Sequence, residues 1–194
     1  MSSIPRLADL ALALKGRVAA NTVPDPAGPR FFGIAEISTR GSSPPRYVPE
    51  DECPDDAVVL AEGDVVMALL GNIGNATVIP DTAVGFVLGR ECVALRVTAP
   101  ELLCPAWLCA WTESEEFRAQ AAQHITGTTM PRLSTRALEN FAITLPPVAK
   151  QLELAELVRR FDNAIAATAT TLQQLEGLRA AEMQLAIAHL QAQP

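Results

Sequence analysis

Two segments of the sequence concentrate side chains that can donate hydrogen bonds to an anionic or nucleobase ligand. The first contains Arg40, Ser42, Ser43, Arg46 and Tyr47, and the second contains Thr126, Thr128, Thr129, Arg132 and Ser134. A guanidinium group can grip guanine with two parallel hydrogen bonds, and hydroxyl groups suit phosphate oxygens and base edges. The alternative is that both segments are ordinary solvated loops, and composition alone favours that interpretation.

Asn72 and Asn75 are weaker candidates for the same chemistry. They belong to the run Gly71-Asn72-Ile73-Gly74-Asn75, whose two glycines could form a nucleic-acid clamp. A lone Gly-x-x-Gly is more often a tight turn, so both interpretations stay open.

The sequence lacks the motifs that identify common enzymes. It contains no Gly-x-x-x-x-Gly-Lys-Ser/Thr phosphate loop, no Gly-x-Gly-x-x-Gly dinucleotide turn and no Gly-x-Ser-x-Gly nucleophile elbow. The Asn/Asp-Pro-Pro-aromatic signature of amino-methylating DNA methyltransferases is also missing. No zinc-ligand spacing is formed by Cys53, Cys92, Cys104, Cys109, His124 and His189. We therefore expect a non-catalytic protein with no metal or cofactor, whose cysteines are ordinary buried thiols.

The charge of the chain opposes nonspecific binding to nucleic acid. The formal net charge is −7, whereas such binding favours a basic field. Specific recognition needs only a local basic patch, because partner subunits can neutralise other phosphates. The charge thus limits a nucleic-acid function without excluding it.

No segment of the sequence has the length and hydropathy of a membrane span, which needs about 18 or more apolar residues. The apolar stretch Leu7–Leu14 is short and is interrupted by Asp9. It also lacks the basic start and small-residue cleavage site of a signal peptide. We expect a cytoplasmic protein with no membrane association.

Residues 1–146 predict a β-rich domain with small helices, which belongs to the α+β class. Short apolar runs alternate there with turns rich in Gly, Pro and Asn. Strands are predicted at residues 31–37, 57–60, 64–70, 76–79, 85–88, 91–97 and 141–145. Helices are predicted at residues 105–112, with Pro105 in the first position, and at 114–123, with a short helical turn at 134–138. Both donor-rich segments would lie on loops of this domain.

Residues 147–194 predict a second domain, a long helix of the coiled-coil type. From Val148 to about Leu190 there is no Pro and one Gly, Gly177, and strong helix formers dominate. Residues spaced alternately by four and three form a heptad seam, which consists of Leu154, Val158, Phe161, Ile165, Thr168, Leu172 and Leu175. A helix of roughly 43 residues would be about 65 Å long, so its far end needs a partner. A hairpin that folds back at Gly177 is the alternative.

Several short motifs occur in an order that resembles a known family. Phe32–Ile37 corresponds to the opening strand. Leu60–Val66 contains a Gly-Asp pair before an apolar strand, and Gly71–Gly74 is the turn after that strand. Trp107–Phe117 corresponds to a helix pair, and Ile125–Ser134 to a Gly-Ser/Thr loop. Ile143–Gln151 corresponds to the entry into the spacer helix, with two prolines and then Gln. This set resembles the specificity (S) subunit of type I restriction–modification systems, as one target-recognition domain and one spacer helix. Lys150 stands where the family often has Glu, which concerns the helix start alone.

The resemblance implies a non-catalytic subunit that binds double-stranded DNA and directs partner enzymes to a specific, bipartite site. The implied partners are DNA methyltransferase subunits, with a restriction subunit as a further candidate, in a phage-defence system. Full-length subunits of this family have two recognition domains and two spacer helices, so this chain resembles a half subunit that forms a homodimer or pairs with a second half. One alternative is the recognition subunit of a related DNA-modification defence system. Another is a protein-interaction adaptor that has lost DNA binding, which the net charge favours.

Overall fold

The computed structural model describes residues 4–24, 26, 28–39 and 44–191. The chain divides into two compact units, residues 1–153 and residues 154–194. The first unit has small helices around β-sheet and the second is helical, so the predicted α+β class is confirmed. The functional boundary expected near residue 146 stays a prediction.

A four-stranded antiparallel sheet forms the centre of the first unit. Its strands are β1 (Ala11–Lys15), β3 (Val65–Ala68), β4 (Ala76–Val78) and β6 (Cys92–Val97), in the order β1-β6-β3-β4. In β3 and β6, Val65 lies opposite Leu95 and Ala68 lies opposite Cys92. The strongly apolar runs at 64–70 and 91–97 therefore form strands, as predicted, because they can fill the middle of a sheet that is covered on both faces.

Two apolar cores cover the two faces of the sheet. Side chains alternate along a strand, so Val65 and Met67 lie in one core and Val66 and Ala68 in the other. The first core also holds Leu7, Leu108, Phe117 and Phe141, and the second holds Phe32, Leu60 and Leu88. The central strand thus leaves none of its four side chains to solvent.

The segment 31–37 is not the single strand that its apolar pattern predicts. Only Phe31 and Phe32 form a strand, β2, which pairs in parallel with β5 (Val87–Leu88). The chain then turns into helix α1 (Ile34–Thr39). The Glu36 carboxylate accepts a hydrogen bond of 2.8 Å from the Gly33 N–H, and this caps the start of the helix.

Other predicted strands are shorter than expected or do not form. Residues 57–60 and 141–145 each make a single bridge, between Val59 and Val87 and between Arg6 and Ala142, and form no strand. The strand predicted at 85–88 is reduced to the two residues of β5. Conversely, β1 lies in the stretch that the sequence marks only as apolar.

The helices of the first unit begin where their capping residues predict. Helix α2 (Pro105–Thr112) has proline in its first turn, and α3 (Glu115–Ala122) begins after Ser114, whose hydroxyl accepts a hydrogen bond from the Phe117 N–H. Helix α4 (Thr135–Glu139) begins in the same way after Ser134. Caps of this kind are local, so the sequence alone places these helices to within a residue or two.

An ion pair between the buried Asp64 and the partly exposed Arg96 secures the start of β3. The Asp64 side chain is 0% exposed, and both of its oxygens accept hydrogen bonds of 2.8 Å from the Arg96 guanidinium. The Ala61 N–H donates a further hydrogen bond of 2.9 Å to the same carboxylate. Together these bonds explain why an aspartate precedes the apolar strand, and the φ of +78° at Gly63 explains the glycine before it.

Helix α5 (Val148–Gln191) is 44 residues long and runs without a break. Gly177 lies within the helix, so the hairpin alternative is wrong. In the first turn, the side chain of Gln151 is fully buried and makes three hydrogen bonds. It donates to the Leu102 and Pro146 carbonyls at 2.7 and 2.8 Å and accepts from the Cys104 N–H at 2.9 Å. This explains why a Gln follows the two prolines.

The apolar seam of the second unit faces solvent. Phe161 and Ile165 are 63% and 67% exposed. Val158, Leu172 and Leu175 are also exposed, whereas Leu154 is half-buried. A helix with such a stripe has no core of its own to bury it.

Candidate nucleic-acid interface

The turn 71–75, which follows β3, is the centre of the candidate site. The Ala68 N–H donates to the Asn75 carbonyl at 3.0 Å and closes the turn. Gly74 has a φ of +90°, and a Cβ there would lie 2.7 Å from the Thr112 carbonyl oxygen. Only glycine fits this conformation and this close approach, so the Gly-x-x-Gly run is a tight turn that packs against α2.

The second donor-rich segment forms a protruding loop beside this turn. Residues 126 and 132 exchange backbone hydrogen bonds of 3.0 and 2.9 Å, which close the loop at its base. Thr128, Thr129 and Arg132 are all exposed, as the prediction requires. The Gly71 N–H donates to the Pro131 carbonyl at 3.0 Å, so the loop and the turn are directly joined.

Helix α1, which precedes the first donor-rich segment in the sequence, contacts the same turn. The Asn75 side-chain amide donates a hydrogen bond of 3.3 Å to the Ser38 hydroxyl, one residue before the end of α1. The predicted residues Arg40, Ser42 and Ser43 follow directly in the sequence, but they lie outside the described residues.

Arg46 and Tyr47 occupy a different environment from the other candidates. The Arg46 guanidinium donates to both oxygens of Glu36, at 2.9 and 2.6 Å, and lies 4.8 Å above the Phe31 ring. Tyr47 is half-buried and pairs through its backbone with Val23. The donor face that Arg46 would need for guanine is therefore already occupied, and its role as a reader stays a prediction that requires this pair to open.

The structure adds one residue that the sequence interpretation missed. Arg118 on α3 is exposed and lies with the turn around an open depression of about 230 Å³. The lining residues are Asn72, Ile73, Gly74, Asn75, Thr112, Glu113 and Arg118. A tertiary contact brings α3 to the turn: a Cβ on Gly74 would also lie 2.9 Å from the Phe117 ring.

Charge is distributed unevenly between this surface and the rest of the chain. The sequence ranges 37–49, 65–80 and 117–138 contain five arginines and none of the 22 Asp and Glu residues. The other ten Lys and Arg residues lie elsewhere, which leaves +5 on these segments and −12 on the remainder. Such a local basic region suits a polyanion despite the overall charge.

The His, Cys, Asp and Glu side chains of the described residues bear on metal and thiol chemistry. No group of three or more His, Cys, Asp or Glu side chains in the described residues is arranged to hold a metal ion. Burial raises the pKa of the Cys92 thiol to about 12, with a smaller contribution from Glu91, so this thiol is protonated at neutral pH. Cys92 is buried as expected, whereas Cys53, Cys104 and Cys109 are half-buried.

No helix in the described ranges is long and apolar enough to cross a bilayer.

A family model described as the type I restriction modification DNA specificity domain matches residues 31–177. This range includes the turn, the protruding loop, Arg118 and most of the heptad seam. No curated protein sequence matches the chain significantly.

Solved structures with the same fold come from type I restriction–modification systems. The HsdS subunit from Thermoanaerobacter tengcongensis has a TM-score of 0.61 at 20% identity, over 84% of this chain and 38% of that chain. The S subunit from M. genitalium has a TM-score of 0.56 at 14% identity, over 82% and 38% of the two chains. A chain from a structure of type I R-M complex assembly has a TM-score of 0.60 at 19% identity, over 86% and 41%. This chain therefore spans about two fifths or less of their length.

Proposed function

This chain belongs to the family of type I restriction modification DNA specificity domains, and on that premise we propose that it recognises a DNA sequence and leaves the chemistry to partner enzymes. The observation that carries the proposal is the contact of the exposed loop 126–132 and of Ser38 with the turn 71–75, beside Arg118. A surface that is basic only where it meets DNA supports specific contact and disfavours indiscriminate binding.

The protruding loop is the part best suited to enter a DNA groove. Its backbone closure at residues 126 and 132 fixes the loop, which limits the conformational entropy lost on binding. Arg132 forms no ion pair with any described residue, so its guanidinium is available for guanine or for phosphate. We assign base reading chiefly to Thr128, Thr129 and Arg132, with supporting contacts from Asn72 and Asn75.

The first loop would complete the reading surface. Ser38 lies at the turn, and the donor-rich residues follow it closely in the sequence. We therefore retain Arg40, Ser42 and Ser43 as DNA contacts. Arg46 and Tyr47 have a lower priority, because Glu36 already binds the Arg46 guanidinium.

The exposed seam of α5 supports a protein-binding role for the helix. We propose that it pairs with a second spacer helix, from another copy or from a different half, and that the assembly binds DNA methyltransferase subunits and in some systems a restriction subunit. Two recognition domains in opposite orientations would select a bipartite site with two half-sites. The charge of −12 outside the basic segments also suits protein partners, and it favours the adaptor as the second candidate.

Selection from a random double-stranded DNA library distinguishes these candidates. The chain is tested alone and with the methyltransferase subunits encoded beside it. Enrichment of one motif with two separated half-sites is expected for the assembled complex. Stable assembly with the methyltransferase but no enriched motif would contradict the proposal and support the adaptor.

A further inference from the structure

The depression beside the turn has a shape and chemistry that base reading does not explain. It is concave, whereas base edges lie at the bottom of a groove about 8.5 Å deep and need a protruding element to reach them. The loop 126–132 is such an element, but the depression is not. A concave site suits the convex ridge of the sugar–phosphate backbone, which flanks the groove.

Arg118 is placed on a rigid support at this depression. Helix α3 begins at a serine cap, and its Phe117 ring packs edge-on against Trp111 and Phe141 at centroid distances of 5.3 and 5.7 Å. Arg118 makes no ion pair with any residue that the structure describes. Arg118 is therefore an exposed cation without a described ion-pair partner, and it lines the same depression as Asn72 and Asn75.

Glu113 lines the same depression and opposes an anion there. It lies at the C-terminal cap of α2 and is exposed. A carboxylate near a phosphate site weakens binding through like-charge repulsion, equally for every sequence. Loss of the Arg118 charge should therefore weaken the binding of an anion in the depression, and loss of the Glu113 charge should strengthen it.

We infer that Arg118 holds a backbone phosphate of the bound DNA in this depression and that Glu113 limits the strength of the contact. This inference rests on the proposed function, because it requires the turn to face DNA. The Arg118 contact sets the affinity for DNA without setting the sequence preference, which distinguishes it from Arg132.

The test compares Arg118→Ala, Glu113→Gln and the control Arg17→Ala in complex with the methyltransferase. Arg17→Ala is the control because it removes one positive charge, as Arg118→Ala does, at an exposed position away from the turn. Arg17 is paired with Asp56 at 2.7 Å. Equilibrium binding to cognate and scrambled duplexes is measured over a series of salt concentrations, and melting confirms that each variant is folded.

Arg118→Ala should weaken binding to both duplexes by about tenfold and reduce the salt slope by about 0.9. Glu113→Gln should strengthen binding to both duplexes. The inference is overturned if Arg118→Ala behaves like Arg17→Ala, or if Glu113→Gln weakens only the cognate duplex, as expected of a base contact.

Arg132→Ala, measured in the same series, distinguishes a failure of the phosphate site from a failure of the proposed function. If it changes the sequence preference while Arg118→Ala has no effect, the phosphate site is wrong and the proposed function stands. If neither variant differs from Arg17→Ala, the turn does not face DNA, and the proposed reading surface fails with the inference.

Discussion

The middle of the central sheet buries its apolar side chains, whereas the long helix exposes its apolar seam. Strand β3 has all four side chains buried between two cores, and its entry is secured by the Asp64–Arg96 pair. Along α5, the seam residues from Val158 to Leu175 are exposed, Phe161 and Ile165 by more than 60%. The first region buries its own apolar surface, whereas the second leaves an apolar stripe exposed, as at an interface. Stability should therefore be intrinsic in one unit and concentration-dependent in the other.

The largest expected effect is on assembly. Phe161→Asp combined with Ile165→Asp places four charges in a symmetric two-helix interface and should weaken self-association by about 5 kcal/mol or more. Sedimentation equilibrium measures this, and the urea unfolding of the sheet should not change. Asn163→Asp with Gln174→Asp is the matched control, because these exposed positions lie off the seam. A wild-type chain that stays monomeric at every soluble concentration contradicts a homodimer, and mixing with a second half then tests the heterodimer.

The next effect concerns the first unit alone. Arg96→Met leaves the buried Asp64 carboxylate without its cation and should lower the free energy of unfolding by about 3–5 kcal/mol. Urea unfolding of the full chain provides the measurement. Arg17→Met breaks a pair whose side chains are both about 60% exposed and should cost less than about 1 kcal/mol. Equal losses in the two variants would show that the Asp64 pair is not the anchor described above.

A smaller effect is expected where the first unit meets the beginning of α5. Gln151→Ala leaves two carbonyls and one N–H without a partner and should cost about 2–3 kcal/mol. Chemical denaturation detects the loss, with the exposed Gln174→Ala as a control expected within about 0.5 kcal/mol. A loss no greater than that of the control would mean that these hydrogen bonds do not secure the helix start.

The sequence predicted the elements whose signals are local. The apolar runs of β3 and β6, the proline and serine caps of α2 and α3 and the seam of α5 all lie within their own segments. The segment 31–37 was predicted wrongly because its outcome depends on Glu36, which caps α1 and is buried in a pair with Arg46. Strand β1 is rich in Ala and Leu, which are good helix formers, and pairing with β6 some 80 residues away makes it a strand.

The candidate site shows the same limit. Donor-rich loops can be identified from composition, but composition does not distinguish Arg132, which has no described ion-pair partner, from Arg46, which is held by Glu36. Arg118 lies on a helix, and only the packing of Gly74 against α2 and Phe117 brings that helix to the turn. No sequence signal identifies it, because Glu113, Glu115 and Glu116 closely precede it.

The most direct test of the central claim is the DNA preference of Arg132→Ala in the assembled methyltransferase complex, compared with Arg17→Ala. If the loop 126–132 reads the DNA, Arg132→Ala should lose about 1–3 kcal/mol of discrimination between cognate and scrambled duplexes, which is about 5- to 150-fold. Arg17→Ala should keep the wild-type preference. An Arg132→Ala complex that binds both duplexes within about twofold of the wild type would contradict the claim that this surface faces DNA.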